Sequence, residues 1–182
     1  MKSILITFSL LMCMNMSAQK YFTKTGLITF HSDAPMEKIE AENHKATSVI
    51  DMESGEMQWS VLIKAFAFEK SLMEEHFNEN YMESSKFPKA TFKGAILNLS
   101  DLDLSIPGTY TVKVKGTLQI HGVSQEVETE ASFIVRDEDF SGNAEFEVAL
   151  ADYDIEIPSV VAENIAKTVL IKVNADYQKL ER

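Results

Sequence analysis

From Gly108 to Arg136 the chain reads GTYTVKVKGTLQIHGVSQEVETEASFIVR, and its apolar residues fall on every second position. Tyr110, Val112, Val114, Leu118 and Ile120 alternate with Thr111, Lys113, Lys115, Thr117 and Gln119, with Gly116 the one gap. After Gly122 the series resumes as Val123, Val127, Ala131, Phe133 and Val135, with Ser124, Glu126, Glu128, Glu130 and Ser132 opposite. Successive side chains of a strand point to opposite faces, so this spacing predicts two half-buried antiparallel strands. The apolar parity changes from even to odd across His121-Gly122, which sets a turn or bulge there, where glycine accepts positive φ. The rest of the chain extends and closes this sheet.

Upstream, YFTKTGLITFHS from Tyr21 predicts a first strand with a bend at Gly26. Ile39, Ala41, Ala46, Val49 and Ile50 mark a second, and Glu53-Ser-Gly-Glu56 is a turn signal. A third strand is expected over Met57–Phe68, apolar on both faces except for Gln58, Ser60 and Lys64. The pattern then changes. Met73, Phe77 and Tyr81 recur four apart among acidic residues, and Ser71 with Glu74 has the spacing of a capping box, so residues 71–82 predict one amphipathic helix. It ends before Lys86-Phe87-Pro88, where proline restrains its predecessor. A fourth strand covers Ala90–Leu99, a loop ends at Pro107-Gly108, and the two central strands follow. Asp137–Asn143, containing Gly142, reads as a loop, Ala144–Leu150 as a seventh strand, residues 155–166 as a loop with one helical turn, and Val169–Tyr177 as the eighth strand.

At 182 residues the chain suits one domain, residues 19–182, with no repeat or linker dividing it. The first eighteen residues read as a cleavable signal peptide. Lys2 precedes an apolar run from Ile4 to Met14, small residues end at Ala18, and the run is too short to anchor in a bilayer. A periplasmic or secreted location follows as an expectation. Bulky Met12 before Cys13 speaks against a lipoprotein signal. Cys13 is the only cysteine, so the mature chain has no disulfide, thiol nucleophile or zinc–thiolate cluster. The formal charge is −11, one unit more negative once Lys2 is removed. Such a surface repels nucleic acid and anionic lipid headgroups. Any lipid would be handled inside the protein, with no stable membrane insertion.

The fold class expected is all-β: eight mostly antiparallel strands with one apolar face each form a sandwich or a closed eight-stranded antiparallel barrel, with the helix at one end. Closure removes edges that invite aggregation, and eight strands is the size at which the interior either fills with side chains or holds one small ligand. Strands of ~10 residues at ~3.3 Å each, tilted by ~40°, give a lumen roughly 25 Å deep. The inward set is nearly free of charge, which suits a chain-like apolar guest. The competing reading is a filled barrel.

Three stretches carry a family resemblance. Leu118-Gln-Ile-His-Gly-Val-Ser-Gln-Glu-Val127 resembles the L-T-I-x-G-V-T-x-P-V signature of the YceI-like family. The run His76-Phe-Asn-Glu-Asn-Tyr-Met-Glu-Ser-Ser-Lys-Phe-Pro-Lys-Ala-Thr-Phe92 is similar to its histidine block, and Asp152 through Ile157-Pro158 to Val173 looks like its closing loop and last strand. The resemblance implies an exported lipocalin-like barrel that holds a long isoprenoid chain, a polyprenyl or quinone tail, as carrier or store and without catalysis. Where the family carries Arg-Asp before the helix histidine, this chain has Met73-Glu74. The departure implies a neutral guest rather than a pyrophosphate.

The residues expected to line the lumen and its mouth are Trp59, Phe77, Tyr81, Phe92, Tyr110, Val112, Val114, Leu118, Ile120, Phe133, Phe146, Val148, Ile171 and Val173, with His76 the headgroup candidate. His121 reads as a turn residue. His31, His44, His76 and His121 lack metal-ligand spacing, and no serine lies in G-x-S-x-G, so neither a metal, a cofactor nor a catalytic residue is expected. The alternative function is a filled-barrel interaction module of the cell envelope, docking through the surface near Val160 and Val161. A homodimer stays open.

Overall fold

The computed structural model describes residues 19–137 and 139–180, so the signal peptide expected over residues 1–18 lies outside the described residues. Nine strands form: β1 (Lys20–Asp33), β2 (Lys38–Asp51), β3 (Glu56–Leu62), β4 (Ala67–Phe68), β5 (Lys89–Ile96), β6 (Gly108–Ile120), β7 (Val123–Val135), β8 (Phe140–Ala149) and β9 (Thr168–Lys179). One helix, α1 (Ser71–His76), continues through a wider turn at Phe77–Tyr81. The order β1-β9-β8-β7-β6-β5-β3-β2 closes through β1–β2 into an eight-stranded antiparallel barrel, and β4 adds a short pairing beside β2. The expected fold class is the one observed.

The central hairpin explains its own parity. His121 and Gly122 both have positive φ, 52° and 81°, and Ile120 pairs directly with Val123. A two-residue turn of this hand matches strand twist, and it joins an even position to an odd one without a bulge. The gap at Gly116 also has a cause. Gly116 faces Gly94 across β5–β6, and a Cβ on either would strike the facing backbone and the Phe92 ring lying over the pair. The glycines make room for an aromatic side chain on the inner face.

Three local expectations are corrected. The third strand stops at Leu62, whose carbonyl accepts a bond from Asn43 Nδ2. The chain then makes a single turn at Ile63–Ala65 and returns to β2 as β4. Its two apolar faces reflect this folding-back, which buries Ile63 and Phe66. The capping box does not form. Lys70 is the N-cap, and the Glu74 carboxylate accepts instead from the Phe68 amide, tying α1 to β4. Gly142 lies within β8, paired with Phe133 and Ala175, because the β7–β8 connection is shorter than the polar composition suggested.

Strand direction sorts the connections into two ends. The β1–β2 turn, α1, the β6–β7 turn and residues 150–167 gather at one end, the mouth; the β2–β3, β5–β6 and β7–β8 connections gather at the other. The far end is solid. Phe140 stacks on Tyr177 with ring centres 4.9 Å apart, Tyr21 meets Phe140 edge-on at 5.0 Å, and Phe133 lies 5.5 Å from Phe140. Ile50, Leu102, Val112 and Val135 fill the spaces between these rings. Tyr177 and Ser48, both buried, share a hydrogen bond of 2.9 Å across the floor.

Candidate functional site

Between this floor and the mouth lies a cavity of about 430 Å³ whose wall is overwhelmingly apolar. The volume falls within the ~300–1,000 Å³ of small-molecule sites. Inward side chains of all eight barrel strands build it, and the interior does not fill. Phe133, Met57 and Tyr177 form its base.

At the mouth, the tilt of α1 is set by Phe77. Its ring stacks on Phe30 at 5.4 Å and contacts Phe66 and Phe68 at 5.6 and 5.0 Å. Aromatic pairs of this kind add about 0.5–1.5 kcal/mol each beyond area burial. Met73 and Tyr81, one turn to either side, also face the cavity, as the four-residue spacing required. His76 is exposed on the helix and reaches the same mouth, together with Glu37, Ser32 and Asn164. Glu37 is engaged by Lys70 at 3.0 Å, and Ser32 Oγ accepts from the Ala166 amide.

Of the residues expected at the lumen, Trp59, Phe77, Tyr81, Phe92, Val114, Leu118, Ile120, Phe133, Phe146, Val148, Ile171 and Val173 all line this cavity. Tyr110 and Val112 do not. They alternate correctly, but sit at the stretch of β6 beside the floor, where Val112 is fully buried in packed core and the Tyr110 hydroxyl donates to the Ile106 carbonyl. Alternation fixes which face a residue takes, not how deep along the barrel it lies. Sequence reasoning missed Phe30, Phe66 and Phe68, the partners of Phe77. Phe30 lay in the alternation of TGLITFHS, and the pair Phe66/Phe68 could have been found from the doubly apolar run that holds them.

Several polar atoms near the cavity are committed to the protein. Asn174 Nδ2 donates to Asn143 Oδ1 at 2.7 Å, and Thr129 Oγ1 donates to the Glu145 carbonyl at 3.1 Å. Burial pushes the Tyr177 phenol well above its ordinary range, which the bond with Ser48 only tempers. Burial and the neighbouring Asp152 charge also raise that of Tyr153. Both stay neutral hydroxyls. His121 holds the mouth together: Nδ1 is 3.2 Å from the Tyr153 carbonyl oxygen, Nε2 is 3.3 Å from Glu83 Oε2, and its ring meets Phe87 at 4.6 Å. Val160, part of the surface considered for docking, is 88% exposed, whereas Val161 turns into the cavity. Among the described residues no cluster of three metal-ligating side chains forms, and no helix is long and apolar enough to cross a bilayer.

Comparison with known proteins follows the same lines. The family model for the YceI-like domain matches residues 6–177. A polyisoprenoid-binding domain from Saccharophagus degradans, implicated in plant cell wall breakdown, superposes with a TM-score of 0.77 at 16% identity, covering 90% of this chain and 99% of that one. Burkholderia cenocepacia BcnA gives 0.68 at 16% identity, with 84% and 95% covered. The Campylobacter jejuni YCEI protein gives 0.60 at 13%, with 78% and 85% covered. No curated protein matches the sequence.

Proposed function

Because this chain belongs to the YceI-like family, we propose that it binds a long apolar lipid of the isoprenoid type inside the barrel, as a carrier or store and without chemical change. The observation that carries this reading is the cavity: apolar walls, a solid floor and a cluster of phenylalanines at one side of the mouth. Each buried methylene is worth about 0.8 kcal/mol, so two or three five-carbon units offset the ordering costs of binding. A polyisoprenoid is also what the Saccharophagus degradans domain is described as binding.

The twelve lining residues already named form the proposed contact surface for the chain, with His76 at the rim for its head. A neutral head, such as a quinone or an alcohol, fits best. Met73 and Glu74 stand where the family has Arg-Asp, and Arg136 lies at the floor end beside Asp139. At the mouth, the Lys70 ammonium is paired with Glu37, which lines the cavity. Residues 1–18 are proposed to direct export, giving a periplasmic or secreted domain spanning residues 19–182.

Organic extraction of the protein purified from its native envelope, followed by mass spectrometry, tests the reading. A prenyl-chain lipid at near-stoichiometric yield is expected from the wild type. It should be strongly reduced in Ala90→Phe, which adds a ring to the cavity wall near the mouth. Reproducible absence of any lipid from the wild type would overturn the proposal.

A further inference from the structure

The barrel wall is not equally sealed all round. The β6–β7 ladder is continuous from Gly108–Val135 to Ile120–Val123, and β8–β9 from Phe140–Tyr177 to Ala149–Thr168. Between them, β7 and β8 pair only from Val135–Phe140 to Ala131–Ala144. Above that point two strand edges face each other without a ladder, over the half of the barrel nearest the mouth.

The sequence contains the reason. Continuing the register would set Glu130 against Glu145 and Glu128 against Glu147, two like-charged pairs on the outer face. Directly opposed like charges weaken a ladder. The outer flanks of the same strands are complementary: Lys113 faces Glu130, Lys115 reaches Glu128 at 3.2 Å, and Lys172 reaches Glu145 at 3.5 Å. The cations thus sit on the neighbouring seams, and among the described residues no ion pair crosses the upper half of this one. Three side-chain contacts bridge it instead. Thr129 Oγ1 donates to the Glu145 carbonyl at its foot, while Gln125 Nε2 donates to the Asp152 carbonyl at 2.7 Å and His121 meets Tyr153 at its top. Between those ties the inner side of the seam is Val127, Phe146 and Val148, all of which line the cavity.

We propose that the upper β7–β8 seam is a lateral port, through which an apolar chain enters and leaves the cavity by parting the two strands. The inference rests on the lipid-binding reading above for its cargo, and on the broken ladder for its route. A chain already lying along the wall need not thread end-on past the Phe77 cluster if it passes sideways between Val127 and Phe146.

Retinol, a fluorescent isoprenoid alcohol, serves as the probe, and its transfer from the mature protein to phosphatidylcholine vesicles gives the release rate. Glu147→Lys sets a cation opposite Glu128 and should zip the seam. Release is then expected to slow by about three- to tenfold, the range a cross-strand charge reversal supports. The amides of residues 126–129 and 145–148 that point across the seam, not into β6 or β9, should gain protection from hydrogen exchange. Glu147→Gln should lie between, and Glu53→Lys, the same charge change at the far end, should alter neither. If Glu147→Lys gains protection and release is unchanged, the seam closes without being the route, and the proposal fails. It fails equally if those seam-facing amides are already as protected in the wild type as the amides bonded within the β8–β9 ladder. Wild-type protein that takes up no retinol counts against the lipid-binding reading itself; uptake with an insensitive release rate removes the port alone.

Discussion

The two ends of this barrel are made of the same materials and do opposite things. At the floor, Phe140, Tyr177, Tyr21 and Phe133 stack into one another with aliphatic residues between them, and no space remains. At the mouth, Phe30, Phe66, Phe68 and Phe77 form a comparable set of rings, but they cluster around the helix at the rim and leave the centre hollow. Aromatic content therefore does not decide whether a barrel is solid. The decisive difference is where the rings attach. Floor rings lie on the neighbouring strands β1, β9, β8 and β7 and pack on one another, with Ile50 of β2, Val112 of β6 and Leu102 completing the plug, whereas the mouth rings converge on one helix to the side.

The strongest way to break the contrast is at the floor. Phe140→Ala should cost about 3–5 kcal/mol, since a packed ring is lost and the surrounding strands cannot collapse. Chemical denaturation gives the value. Tyr177→Phe is a finer probe of the same place. It leaves the Ser48 hydroxyl, 2% exposed, without its partner, for a cost of about 1–3 kcal/mol, and adding Ser48→Ala should recover most of that. A double-mutant cycle checks it.

At the mouth the balance reverses. Phe77→Ala should cost about 1–2 kcal/mol in stability, because its ring is only partly buried, yet it should weaken retinol binding by more than Phe140→Ala does. Fluorescence titration of both variants decides whether stability and binding divide between the two ends. The smallest effect concerns pH. The Lys86 ammonium, with help from His121, holds the Glu83 carboxyl below its usual range. A carboxylate depressed in the folded state contributes stability at pH values above its unfolded value and loses it as pH falls through its folded value. Acidification below about pH 4.5 should therefore loosen the His121 corner of the mouth before the floor. Hydrogen exchange at Gly122 and Tyr153, compared with Tyr177, would show it.

The sequence was most informative where one periodicity ran long. The alternation through residues 108–136 specified a hairpin, its turn and its inner face, and the spacing of Met73, Phe77 and Tyr81 specified a helix with one side inward. It was silent on depth, so Tyr110 and Val112 looked like wall when they belong to the floor. It was silent also on the return of Ala67–Phe68 to β2, since a two-residue strand has no period to read. The parted β7–β8 ladder was invisible for a different reason. Glu128 and Glu130 fit the polar face of their own strand, and the conflict with Glu145 and Glu147 exists only once the register is known.

The solid floor has one consequence for traffic. A tube shut at one end imposes a single orientation on the proposed guest: its polar head rests at the open end, whether the chain entered past the rim or through the seam. Any acceptor would thus meet the same face of every loaded molecule, and the length of the guest would be read as how far it protrudes.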